Sequence, residues 1–255
     1  MAQNQNITYT QQLCDRAMSE YPGIESNIKD LKGKLAECKN RIASLNNSIQ
    51  SKQMGIAGRR TQVEQSHRLI AQYQQQYSDL ISQSAYAEDE DELRSIQAQV
   101  QEVRAKADQE QRNIQRMESE IAALQSQISQ LQSEVSALKS QAQQYSASLS
   151  AQSSKCRKIA STLNTSGHVV AQLASRMNDQ SAGFAKGGSS RFGSASSQMA
   201  GWRSREAQQV NDLGTMAIKI GQKYNSLASI ASQGSDADDP TPGSGRRVVK
   251  DDMER

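Results

Sequence analysis

The chain has little of what builds a thick globular core or a reactive site. Only two of its 255 residues are Phe and one is Trp, aromatics reach 4%, hydrophobic residues 35%, and the mean hydropathy is −0.76. A layered α/β domain of that length needs more apolar surface, whereas a thin structure in which each helix buries one narrow stripe does not. Histidine is confined to His67 and His168, remote from each other and without Cys, His or carboxylate neighbours at ligand spacing, so no metal is expected. Cys14, Cys38 and Cys156 are odd in number and unpaired in spacing, which argues for reduced thiols, not a disulfide framework. Cys38 and Cys156 also fall on apolar stripes, where a small thiol is ordinary filler and not a nucleophile.

No run approaches the ~18 apolar residues of a membrane span, and Met1 to Thr10 lacks the basic start and apolar stretch of a signal peptide. The expectation is a cytoplasmic protein, with leaderless export beyond the reach of this test. Gly183 and Gly188 have the glycine spacing of a phosphate-binding loop, but Ser189 stands where lysine is required and no strand precedes it, so no cofactor is expected. The five consecutive acids Glu88 to Glu92 lack the alternating ligands and glycine of a calcium loop.

What the chain does have is periodicity. From Ile24, apolar residues recur at steps of four and three through Ile28, Leu31, Leu35, Cys38, Ile42, Leu45 and Ile49, then Ile56, Val63, Ile70, Tyr73, Tyr77 and Leu80. This is a heptad seam of about eight repeats, weakened where Lys52, Arg59 and Ser66 take core positions. Gly55 and Gly58 lie in that stretch, making Met54 to Arg60 a loosened turn of helix and a secondary candidate for recognition. A second seam of about twelve heptads runs from Leu93 through Ile114, Ile121, Ile128, Val135, Leu149, Cys156, Leu163 and Val170 to Met177. Glu110, Gln152 and Ser166 are its polar exceptions. The fold class is therefore all-α: a long antiparallel coiled-coil hairpin stalk with a small helical head and a disordered C-terminal tail.

The stripe goes out of phase between Leu80 and Leu93, and the acidic run there suits the positive end of a new helix, so the chain is expected to reverse within residues 81–92. Segments 24–80 and 93–149 then pair over ~85 Å. One register sets Ile42 by Leu131 and Ile49 by Leu124, leaving Arg59 by Ile114, Lys52 by Ile121 and Ser66 by Ala107. A parallel homodimer and a dimer of hairpins compete with it, because Ile or Val at a and Leu at d over Ile121 to Leu138 is the pattern of parallel two-stranded coils.

Four regions follow: residues 1–23 as N-terminal tail and short helix ending at Pro22-Gly23; 24–149 as hairpin; 150–232 as helical head; 233–255 as disordered tail. Within the head, a Gly/Ser-rich loop is expected over 178–198, and Asn164 to Gly167 as a point of interruption. The loop holds Phe184 and Phe192, with Trp202 just beyond. Aromatics so placed either pack back on the head or dock a partner. With Lys186 and Arg191 as a basic rim, Phe184, Phe192 and Trp202 are the candidate partner-binding residues. These readings converge on a non-enzymatic structural or adaptor protein with a protein partner and a possible homodimer. The net charge of +3 is diluted over long helices, so no nucleic acid is expected as partner. The alternatives are a leaderless exported or toxin-accompanying hairpin protein of a secretion system, and a peripheral membrane-surface protein.

Overall fold

In a computed structural model, residues 2–187 and 193–235 are described, with side-chain surroundings for 4–182 and 198–233. They form three helices, α1 (Ala2–Ser84), α2 (Glu90–Gly187) and α3 (Gly193–Ser235), with no strand among the described residues. The chain divides into two compact units, one of Met1–Lys39 with Ser140–Arg255 and one of Asn40–Lys139. We call them unit 1 and unit 2.

Unit 2 contains the junction of α1 and α2. Helix α1 closes with amide bonds from Ala85 to the Ser82 carbonyl and from Tyr86 to the Gln83 carbonyl. Helix α2 starts on a carboxylate cap: Asp89 Oδ1 accepts from the Glu92 amide at 2.8 Å, and Glu92 Oε2 accepts from the Glu88 amide at 3.1 Å. The Asp89 carboxylate satisfies an amide that the first turn leaves open, the Glu92 carboxylate ties back the amide just ahead of the helix, and Glu90, Asp91 and Glu92 sit at the positive end of the helix dipole. Beyond the turn the two helices contact each other with partner numbers running in opposite directions. Arg41 pairs with Glu134, Lys52 with Gln127, Arg59 with Glu120 and Ser66 with Glu110. Ile42, Ile56, Ile96, Ile114, Met117, Ile128 and Val135 are buried.

The three polar residues of the first seam each find a polar partner on α2. Ser66 is buried and its hydroxyl donates to Glu110, one of the three polar exceptions of the second seam, at 2.7 Å. Arg59 and Lys52 reach Glu120 and Gln127, not Ile114 and Ile121, because helical side chains lean toward their own N-terminus and long stems carry the charge out of the seam.

Unit 1 is a bundle of three segments, from α1, α2 and α3. Its core joins Cys14, Ile24, Ile28 and Leu35 of α1 with Leu149, Cys156 and Leu163 of α2 and Ala217, Tyr224 and Leu227 of α3. Small residues set the α2–α3 spacing. Ser153, Ala160, Gly167, Ala174 and Ser181 repeat every heptad on α2, and Ala207, Gly214, Gly221 and Ala228 on α3, all of them buried. The Ser153 hydroxyl donates to the Ala228 carbonyl at 2.9 Å. A Cβ at Gly167 would lie 2.7 Å from the Gly214 carbonyl oxygen, and one at Gly214 would lie 2.8 Å from that of Gly167. Backbone touches backbone there, so only glycine fits. The space a side chain at Gly221 would need is taken by Asn164 Oδ1, which is buried without a hydrogen-bond partner among the described residues, as is Gln152 Oε1. The cost of each is set against the packing around it.

Three expectations are corrected. Pro22 does not end a short helix; it lies inside α1. Its ring removes one internal hydrogen bond, but Tyr21 and Ile24 on either side pack on the core. The Tyr224 hydroxyl donates to the Ala17 carbonyl at 2.7 Å, and its ring meets that of Tyr21 edge-on at 5.4 Å, tying α1 to α3 at this point. Asn164 to Gly167 does not interrupt α2, because Gly167 serves the close crossing. The 178–198 segment is not a loop throughout: α2 continues to Gly187 and α3 begins at Gly193. The part of the expected tail beyond Ser235 lies outside the described residues.

Candidate partner-binding surface

Trp202 projects from α3 into solvent, 66% exposed, with Met199 one turn before it at 57%. Their positions explain this. The buried stripe of α3 passes through Ala207 and Val210, the latter packed with Val170 and Ala174, and a heptad back it meets Ala200 and Arg203. Met199 and Trp202 fall off that line, so the core has no place for them, and they share one face. Of the other sequence candidates, Phe184 and Lys186 stand on the last turns of α2 with side chains outside the described set, and Arg191 and Phe192 lie outside the described residues. The site as described is therefore Trp202 with Met199. The sequence reading missed Met199, although its spacing of three from Trp202 was available.

A second surface feature escaped the sequence reading. Between α1 and α2 of unit 1 lies a groove of about 260 Å³. Leu13, Ala17 and Ile159 form its floor, and Arg16, Lys155 and Lys158 its rim. Its one carboxylate, Glu20, bonds Arg16 at 2.8 Å and Lys155 at 3.3 Å. The hydrogen bonds from Arg16 and then Lys155 hold the Glu20 carboxyl below its ordinary range, so it stays ionised and bound to them. The signal that could have found this rim is an absence: between Glu134 and Asp179 the chain has no Asp or Glu at all. A groove of about 480 Å³ on the other side of α1, lined by Met18, Met216 and Ile220, carries Lys219 and Lys223 against Asp212.

The remaining reactive groups are placed as follows. Cys14, Cys38 and Cys156 are buried free thiols, and desolvation raises the pKa of Cys14 and Cys156, which disfavours the nucleophilic thiolate. His67 and His168 are exposed. Among the described residues no group of three or more His, Cys, Asp or Glu is arranged to hold a metal ion, and no helix is long and apolar enough to cross a membrane. Comparison with protein-family models, with curated proteins and with solved structures gave no match.

Proposed function

We propose that the chain is a non-enzymatic coiled-coil adaptor. In this reading the paired helices of unit 2 form an antiparallel hairpin that serves as a spacer. The three-helix unit docks a protein partner through the face bearing Trp202, with Phe184, Lys186, Arg191 and Phe192 as further candidate contacts read from the sequence. One observation carries it: the only tryptophan of a chain so poor in aromatics stands in solvent, beside an exposed methionine, while the neighbouring core closes on Val170, Ala174 and Val210 without either of them. Leaving an indole and a thioether in water is unfavourable, and both are favoured anchors at protein interfaces.

The test is a capture experiment from native cells with the intact chain and with Met199→Ala plus Trp202→Ala. Neither side chain supports the bundle, so helicity and melting temperature should hold while capture weakens at least tenfold, about 1.4 kcal/mol. Unchanged capture by a folded double variant would remove this surface from the proposal.

A further inference from the structure

We infer that the α1–α2 groove of unit 1 is a docking site for an acidic amphipathic helix of another protein. The floor and the rim ask for different things, and one kind of ligand supplies both. Leu13, Ala17 and Ile159 offer an apolar trough between two helices, the place a further helix takes when it packs on a bundle. Arg16, Lys155 and Lys158 surround it with three cations against one carboxylate, and Glu20 is already shared between Arg16 and Lys155. No acid on α2 can balance Lys158, since the nearest in sequence are Glu134 and Asp179. A helix with an apolar stripe flanked by Asp or Glu would fill the trough and complete the charge.

The recessed floor decides against a lipid surface. Membrane-surface proteins present protruding apolar side chains, whereas these three lie below a charged rim. It also decides against nucleic acid, for which an apolar trough contributes nothing to the phosphate contacts that dominate affinity. The groove is separate from Trp202, which is not among its lining residues, so the two proposals stand or fall by different variants.

The experiment titrates the full chain against labelled peptides about five turns long. The probe carries a leucine stripe flanked by glutamates on an alanine background, which supports helix formation. Its comparators are the same peptide with lysine for glutamate, a glutamate peptide without the leucine stripe, and phosphatidylglycerol vesicles. The Leu/Glu peptide should bind best, and more weakly as salt rises. Lys155→Glu with Lys158→Glu should lower its affinity at least tenfold and raise that of the Leu/Lys peptide. Because the first substitution sets an acid beside Glu20, a second variant is needed: Thr162→Trp narrows the groove without changing charge and should also cost at least tenfold. The inference is overturned if the stripe-free glutamate peptide binds equally well, if vesicles bind and the Leu/Glu peptide does not, if no peptide binds, or if Thr162→Trp leaves affinity unchanged.

Discussion

Unit 1 and unit 2 are made from the same two long helices, yet their cores differ. In unit 1, where α3 joins, Leu149, Leu163, Val170 and Tyr224 are entirely excluded from solvent. In unit 2, Leu124, Leu131 and Leu138 stay partly exposed although they occupy equally regular heptad positions, and lysine and arginine seam residues survive by reaching glutamine and glutamate on the facing helix. Two helices cover each other's stripe unevenly: Ile42 and Ile114 are fully buried, while these leucines keep a flank in water, and a charged stem costs little at such a flank. A third helix closes that flank, and the interior then becomes selective. It accepts Tyr224 only with its hydroxyl bonded, and accepts a backbone crossing only with glycine on both sides. Regularity of a seam therefore says where helices pair, while the number of partners says how much each residue matters.

The comparison can be broken most sharply at the crossing. Gly167→Leu drives a side chain into the backbone of α3 and should cost about 3 kcal/mol or more, read by urea denaturation followed by circular dichroism. Near-native stability would mean that the helices are not in backbone contact. A matched pair sharpens the same point: Leu163→Ala in unit 1 should cost about 4 kcal/mol and Leu131→Ala in unit 2 about 2, since the second removes a side chain already part-hydrated. Equal losses would show that pairing alone sets the cost.

The smallest effect is alkaline. Burial pushes the Tyr224 hydroxyl up to about 12 and also raises Tyr21, Cys14 and Cys156. A folded pKa above the unfolded value favours the protonated form on folding. The stability this contributes is complete below the unfolded phenol value near 10 and is lost as pH rises toward 12. The melting temperature should therefore fall across that window, and Tyr224→Phe, though less stable at neutral pH, should show a shallower fall. A parallel decline in both proteins would assign the loss to other groups.

Much of this architecture was legible because heptad spacing is a local signal. The phase break between Leu80 and Leu93, with the acids behind it, marked the turn, which the Asp89–Glu92 cap then explains. Pro22-Gly23 and Asn164 to Gly167 carry helix-breaking composition, and their local propensity is overridden by packing. The Gly/Ser-rich composition of 178–198 likewise hid the helical ends of α2 and α3. The heptad of Ser153, Ala160, Gly167, Ala174 and Ser181 could have been read as a close-packing face, because small residues at seven-residue spacing mark a stripe as surely as leucines do. Of the candidate surface, Trp202 was named from composition alone, but its exposure depended on where the stripe of α3 ran. The basic groove rim needed α1 and α2 brought together before Arg16 and Lys155 could share Glu20.

By itself the sequence determined that the described residues are almost wholly helical and where the first long helix gives way to the second. Periodicity and capping act between residues a few positions apart, and no distant contact can erase them. Only the tertiary structure decided that α1 continues through Pro22, that Gly167 and Gly214 meet, and that Trp202 faces water while Tyr224 does not. Each of those outcomes depends on which side of a helix a second and a third helix cover, and that is a property of the assembled bundle.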